Sequence, residues 1–302
     1  MQYEKPFATF DDQVDLLLSR GMQGDKAVIR DHLVDVGYYR LSGYWHIFKQ
    51  EDNSFKPETT FEKVWNIYTF DRQLRLIVLD AIERVEVYFR TQLAYELAKN
   101  TGPFGFLEQE NLPRLNDQKY EKFIEKCKNK IAFSREPFIV HFRDKYGDFH
   151  DLPPYWMLVN TMDFGQMLTL YKGASVQIRN KLAKDLGLSA RVLESWLVSL
   201  NTVRNICAHH GRLWNRVAGN RPMVPRDNRW HIPFEVSPDR LFCVLTMLSY
   251  LLENIAPNTA WRRRLFELFA EYPDIDKRMM GFAEGWENCP LWKPWIRDAC
   301  HF

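Results

Sequence analysis

An arginine and a histidine suited to handling a phosphodiester lie five residues apart, at Arg204 and His209. They fall on the best-defined amphipathic helix of the sequence, which Ser189 is predicted to cap and which the apolar spacing continues to about Gly211 or Trp214. Arginine binds phosphate through paired hydrogen bonds, and histidine exchanges protons near neutral pH. The pair therefore predicts a site for an anion on this helix.

The side of the helix that carries this pair differs from an ordinary solvated face. At about 100° per residue, amides, arginines and an imidazole share one side, and no carboxylate follows Glu194. The members of this polar stripe are Asn201, Asn205, His209, Arg212 and Arg216, with Arg204 at its edge. His210 projects instead from the apolar side, so we expect it to be a structural histidine hydrogen-bonded in the core, or a helper of His209.

Cleavage of RNA by a ribose 2′-hydroxyl needs a group that takes a proton, a group that protonates the leaving oxygen, and a fixed cation for the phosphorane charge. Histidine can fill the first two roles because its unperturbed pKa is about 6.5. Arginine can fill the third. One chain holds one well-placed histidine, so two copies meeting across a two-fold axis would supply both acid and base. This chemistry requires no metal and no other cofactor.

Composition limits the alternatives. The 302 residues are 46% hydrophobic, and 41 Lys plus Arg against 39 Asp plus Glu leave a formal charge of +2. Any nucleic-acid surface must therefore be local, and the arginine-rich stretch 201–240 is one candidate. The five scattered cysteines form no CxxC pair, which argues against a disulfide framework and a zinc ribbon. With neither a signal peptide nor a membrane span in view, we expect a cytoplasmic protein.

Periodicity near 3.6 residues recurs from end to end and strand-like alternation does not, which predicts an all-α fold. The longest helix is predicted from Thr59, which has capping-box spacing with Glu62, to just before Gly102, as one helix or as two divided near 69–71. Shorter helices are predicted over 9–22, 25–36, 117–132, 136–146, 154–171 with a weak point at Gly165, 175–186 and 238–255.

Several motifs together resemble a known family. Arg204-Asn205-Ile206-Cys207-Ala208-His209 matches the R-x4-H motif of the HEPN-superfamily ribonucleases, in which a polar residue follows the arginine. A longer set, in order over about residues 5–216, resembles the Abi-like (abortive infection) proteins, including the AbiD and AbiF types. That set comprises residues 37–45 (GYYRLSGYW), Tyr68-x-Phe70-Asp71-Arg72-x-Leu74-Arg75, Ile82-Glu83-x-Val85-Glu86 with Arg90, Trp196-Leu197, and the segment 204–215.

The resemblance implies a bacterial phage-defence protein that cuts RNA and leaves a 2′,3′-cyclic phosphate. It gives catalytic roles to Arg204, Asn205 and His209, and it implies RNA, a second copy of the chain, and a noncoding RNA or antitoxin as partners. The expected architecture is a helical bundle with a HEPN-like core and helical extensions at both ends. Its expected parts are an N-terminal layer (1–58), the bundle with the R-x4-H motif (59–256), and an irregular or helical C-terminal extension (257–302).

Other charged residues are candidates for supporting roles. Three arginines, Arg40, Arg212 and Arg216, would bind neighbouring phosphates. The pairs Asp71–Arg75 and Glu86–Arg90 have the i,i+4 spacing of surface ion pairs. If the long helix packs against the Arg204 helix, Glu83 or Glu86 could instead orient Arg204 or His209.

The aromatic segment 37–45 has two interpretations. Its rings could stack nucleotide bases beside Arg40. The favoured interpretation is that Tyr38, Tyr39, Leu41, Tyr44 and Trp45 wedge an N-terminal layer onto the bundle while Arg40 pairs with a carboxylate.

Two other functions are compatible with the same residues. The first is a non-catalytic RNA-binding or sensing module that holds a regulatory RNA on the basic face. The second, ranked last, is an enzyme that transfers a nucleotide, for which neither a Gly-rich phosphate loop nor paired metal-binding carboxylates stand out. A zinc site at Cys207, His209 and His210 is disfavoured because no second cluster lies at ligand spacing.

Overall fold

The computed structural model describes residues 6–294, and within that range it contains twelve α-helices and no β-strand. The all-α prediction is confirmed. The helices are α1 (Phe10–Ser19), α2 (Lys26–Val36), α3 (Tyr38–Trp45), α4 (Phe61–Thr101), α5 (Asp117–Phe133), α6 (Pro137–Tyr146), α7 (Tyr155–Thr161), α8 (Phe164–Gly173), α9 (Val176–Asp185), α10 (Ala190–Ala208), α11 (Leu241–Ile255) and α12 (Trp261–Glu271).

Helix α4 is the central element of the fold. It runs unbroken for 41 residues, a length of about 60 Å, so the expected alternative of a division near 69–71 does not occur. Thr60, not Thr59, caps it by accepting a hydrogen bond from Lys63 N at 3.2 Å. Because α3, α7, α10, α11 and α12 all pack against it, it buries apolar residues on several sides. Its neighbours therefore support it along its length.

One continuous hydrophobic core joins the chain from Val14 to Trp292. The N-terminal helices contribute Trp45, and the part after α11 contributes Trp261 and Trp292, all fully buried. The segment predicted as one helix over 154–171 forms α7 and α8, because Asp163 caps α8 in a capping box with Gln166. The break therefore falls just before the predicted weak point at Gly165.

Four of the five cysteines are buried and free, and Cys300 lies outside the described residues. Burial raises the pKa of the Cys207 thiol to about 12, so this residue remains a protonated core side chain. Across residues 6–294, no helix combines the length and the apolar character needed to cross a bilayer.

Candidate functional site

Helix α10 begins where the sequence predicts and ends earlier. The Ser189 hydroxyl caps its start by accepting a hydrogen bond from Val192 N at 3.3 Å. The helix stops at Ala208, so the predicted continuation to Gly211 or Trp214 is wrong. Residues beyond His209 therefore do not share the helical polar stripe.

Two crossed backbone hydrogen bonds end the helix. His210 N donates to Cys207 O at 3.0 Å, and Gly211 N donates to Ile206 O at 2.7 Å, which together form a Schellman motif. His210 occupies the left-handed position of this motif, with φ of 58°, where glycine is the usual residue. This conformation turns the chain sharply away from the helix axis.

The reversal overturns one of the two predictions for His210, that of a structural histidine in the core. Its side chain is exposed rather than hydrogen-bonded in the core. Arg212 and Arg216 lie in the segment after the turn, where Trp214 is buried and Arg216 is exposed. A sequence pattern extrapolated at 100° per residue could not place these side chains, because the helix had already ended.

Arg204, Asn205 and His209 remain together at the end of α10. Asn205 and His209 are four residues apart, so they share one face of the helix, and both are exposed. Arg204 is half-buried, and its Nη1 lies 3.5 Å from Asn205 Oδ1, a long and weak contact. Among the described residues, the His209 imidazole has no hydrogen-bond partner and the Arg204 guanidinium has only this contact. The three groups are thus available to a ligand.

A buried carboxylate holds the turn that follows His209. Asp71 on α4 accepts hydrogen bonds from the backbone amides of Leu213 at 3.1 Å and Trp214 at 2.8 Å. It also accepts from Arg75 Nη1 at 2.6 Å and from the Tyr44 hydroxyl at 2.7 Å. Burial raises the pKa of the Asp71 carboxyl, an effect opposed mainly by the Arg75 guanidinium. The four donors all complement its ionised form.

Asp71 holds the backbone of this turn in place, a role that the sequence analysis missed. The i,i+4 spacing predicted a surface ion pair with Arg75, and that prediction is wrong because both side chains are buried. A signal was present in the sequence. Asp71 stands at a position of the apolar stripe, between Ile67 and Leu74, where a carboxylate needs a buried partner.

The N-terminal layer contributes two further bonds to the turn. Arg40 Nη1 donates to the carbonyl of His210 at 2.6 Å, and Arg212 Nη1 donates to the carbonyl of Gly43. The favoured interpretation predicted that Arg40 pairs with a carboxylate, and this prediction is wrong, because its partner is a backbone carbonyl. Each guanidinium has five N–H donors, so both arginines retain donors that a phosphate could use.

The wedge interpretation of the aromatic segment is confirmed for most of its rings. Leu41, Tyr44 and Trp45 are buried on α3, and Tyr38 is half-buried. Tyr39 is the exception, because 93% of its surface is exposed. The segment thus docks the N-terminal layer and presents one ring to solvent next to Arg40.

The two glutamates proposed as orienting groups lie away from the turn. Glu86 is buried and forms an ion pair with Arg90, which also donates to Met162 O at 2.6 Å. Glu86 lies fifteen residues after Asp71 on one unbroken helix, which corresponds to a rise of about 22 Å. Glu83 is exposed. The structure therefore gives neither glutamate a contact with Arg204 or His209, whereas Asp71 binds the turn that follows them.

Beside the turn, a cavity of about 210 Å³ separates α10 from α11. Its wall includes Thr202, Ile206, Arg216 and Arg240. Arg216 makes no ion pair within residues 6–294, so its charge is available at the edge of the cavity, near the end of α10. Within that same range, no group of three or more His, Cys, Asp or Glu side chains could hold a metal ion.

Comparison with known families identifies the chain. The family model described as Abi-like protein matches residues 31–215, which is more than half of the sequence. The chain belongs to the Abi-like family. The matched region begins in α2 and ends just after the Asp71-bound turn, so it contains α10 and the hydrogen bonds that hold this turn. No curated protein and no solved structure matches the chain.

Replacement of the buried carboxylate should destabilise the Abi-like fold. In Asp71→Asn, the neutral amide leaves Arg75 as an unpaired buried charge, so we expect the free energy of unfolding to fall by about 3 kcal/mol. Urea denaturation measures this change. The exposed neighbour provides a control, because Arg72→Ala should change stability by less than about 0.5 kcal/mol.

A double-mutant cycle identifies the source of that loss. Asp71→Asn combined with Arg75→Met should cost clearly less than the sum of the two single changes, because the second replacement removes the unpaired charge. The central role of this ion pair would be contradicted if the two changes had additive effects on the free energy of unfolding, or if Asp71→Asn lowered it by less than about 1 kcal/mol.

Proposed function

We propose that this Abi-like protein is a phage-defence endoribonuclease that cleaves RNA by attack of a ribose 2′-hydroxyl on the adjacent phosphate, without a metal ion. The observation that carries the proposal is the group formed by Arg204, Asn205 and His209. These side chains are neighbours at one helix end, they are accessible, and the fold makes almost no use of their polar atoms.

Arg204 binds the scissile phosphate in this proposal. Its guanidinium is a fixed cation that can donate two parallel hydrogen bonds to phosphate oxygens, and the charge that develops on the phosphorane strengthens them. Its contact with the Asn205 amide, at 3.5 Å, is too long to compete with a phosphate. Asn205 is next to Arg204 and on the same helix face as His209, so its amide holds either the phosphate or the imidazole.

His209 transfers protons. As the 2′-oxygen attacks phosphorus, an imidazole accepts the hydroxyl proton, the P–O5′ bond breaks, and the departing 5′-oxygen receives a proton. The products are a 2′,3′-cyclic phosphate and a free 5′-hydroxyl. His210 has a conformational role, because it occupies the left-handed position that ends α10 and directs the chain toward Asp71.

The rigid surroundings of the turn favour a catalytic site over a passive surface. A catalytic group must be held within a fraction of an ångström of its productive position, and packed neighbours provide that restraint. Here Arg40 holds the His210 carbonyl, and Asp71 holds the amides of Leu213 and Trp214. The backbone on the C-terminal side of His209 is thus fixed by groups from α3 and α4.

Two copies of the chain complete the site. One His209 cannot act as base and acid at the same time, whereas the two copies of a two-fold dimer bring two imidazoles to one phosphodiester. The exposed end of α10 is the surface that such a dimer would share. Arg216, exposed beside that end, would bind the flanking phosphates together with the remaining donors of Arg40 and Arg212.

A non-catalytic RNA-binding module is the alternative, and a nuclease assay separates the two functions. Purified protein is incubated with RNA in EDTA, and the ends of the products are analysed. We expect cleavage that yields 2′,3′-cyclic phosphates. It should fall by about 100-fold or more in Arg204→Ala, and by about 100- to 10,000-fold in His209→Ala.

Matched variants serve as controls for that assay. Arg72→Ala removes an exposed arginine elsewhere, and His210→Gly places the preferred residue at the left-handed position, so both should retain cleavage. RNA binding without cleavage by the wild-type protein would support the non-catalytic module. Full cleavage by His209→Ala would exclude the proposed proton transfer.

Dimerisation predicts that activity depends on protein concentration. Diluting the enzyme below the dissociation constant of the dimer should lower the cleavage rate per chain, because each isolated copy lacks the second imidazole. Sedimentation over the same concentrations should show the change from two copies to one. A monomer that retains the full rate per chain would contradict the two-copy site.

A further inference from the structure

A groove lined by cations runs between α5, α8, α9 and the first half of α10. It consists of two adjoining cavities of about 630 and 720 Å³, which share Arg114 and Glu194 in their walls. We call this feature the basic groove. It lies outside the group formed by Arg204, Asn205 and His209, and none of the roles described so far uses its side chains.

The first cavity has a large excess of unpaired positive charge. Its two carboxylates already have partners, since Asp163 lies 3.2 Å from Lys130 Nζ and Glu194 pairs with Arg179. The cations of its wall have no carboxylate within 4.0 Å among the described residues. These cations are Arg114, Lys119, Lys122, Lys126 and Lys172.

Three of these lysines project from one face of a single helix. Lys119, Lys122 and Lys126 follow one another on α5 at spacings of three and four residues, so their side chains are neighbours. Like charges at such spacing destabilise a helix. Stability of the free protein does not explain their arrangement, whereas a bound polyanion would compensate the repulsion.

The second cavity leads from these lysines toward the end of α10. Its wall follows α10 from Ala190 to Val198, which includes Arg191, and continues to Arg221, which lies 3.7 Å from Asp239. Asn220 in the same wall donates to the Thr202 hydroxyl at 2.9 Å. Val198 is the last α10 residue of this wall and lies six residues before Arg204, so the groove ends less than two helical turns from the candidate site.

We propose that the basic groove binds the sugar-phosphate backbone of a single-stranded RNA segment whose scissile linkage lies at Arg204 and His209; this rests on the proposed function. An open groove that presents cations along its length is typical of sites that follow a nucleic-acid backbone without reading its bases. An unpaired strand fits the chemistry as well, because its linkages can rotate until the 2′-hydroxyl is in line with the leaving oxygen.

The RNA segment that the groove binds therefore extends beyond the linkage that is cut. Phosphates several nucleotides away from the cleaved bond would contact the α5 lysines. Affinity for a long oligonucleotide should then depend on these lysines and steeply on salt concentration, whereas affinity for a dinucleotide should not depend on the lysines and should depend only weakly on salt.

The test measures binding of a fluorescent uridine oligomer of about 12 nucleotides by anisotropy, between about 50 and 200 mM KCl. All proteins are the full chain with His209→Ala, which suppresses cleavage during the measurement. The groove variant carries Lys119→Gln, Lys122→Gln and Lys126→Gln. A charge-matched control carries Lys99→Gln, Lys145→Gln and Lys184→Gln, which lie outside both cavities.

Each phosphate contact of a single strand contributes about 0.7 to the slope of log affinity against log salt. The groove variant should therefore reduce the magnitude of that slope by about 2 and weaken binding at least about tenfold near 0.1 M salt. The control variant should keep the slope and affinity of the parent. Because all six lysines are exposed, both variants should fold, which circular dichroism checks.

An unchanged slope and affinity in the groove variant would overturn the proposal and favour an acidic protein as the occupant of the groove. Equal losses in both triple variants would also overturn it, because they would reflect net charge alone. Failure of the proposed function has a different signature. In that case, Arg204→Ala with intact His209 leaves cleavage unchanged, while the binding comparison still decides the role of the groove.

Discussion

The interaction on which the candidate site most depends is the burial of the Asp71 carboxylate beneath the turn that follows α10. A buried carboxylate is costly unless it is paired and hydrogen-bonded, and here Arg75, Tyr44 and two backbone amides supply its partners. The same bonds join α3, α4 and the turn at one point. Packing of α3 on α4 and the conformation of the turn are therefore coupled, because both use the same carboxylate.

This constraint explains why the candidate site lies at a helix end. Within α10, the backbone amides bond to one another, and the side chains before His209 divide between core and solvent. At the Schellman motif the chain reverses, which leaves the His209 and His210 side chains in solvent while Leu213 and Trp214 enter the core. Arg204 and Asn205 lie one turn earlier on the exposed side. The reversal thus separates a rigid support from an accessible set of polar groups, as an active site requires.

The sequence predicted much of this arrangement, but the predictions failed where contacts between distant parts of the chain determine the conformation or the burial of a residue. Periodicity located most helices, and the Ser189 cap and the neighbouring positions of Arg204, Asn205 and His209 follow from local rules. The end of α10 does not follow from local rules, because it depends on a histidine in a left-handed conformation that glycine usually adopts. Asp71 and Arg75 have the spacing of a surface pair, and only the packing of α3, α4 and the turn shows that they are buried.

We propose that Arg204 and His209 contact the same phosphodiester. NMR of protein labelled with ¹⁵N-histidine can detect this contact during titration with an RNA oligomer that carries a 2′-deoxy sugar at the scissile position. We expect the His209 imidazole signals to shift on binding, and we expect this shift to disappear in Arg204→Ala but to persist in Arg72→Ala. Saturated binding that leaves the His209 signals unmoved, or moves them equally without Arg204, would contradict this proposal.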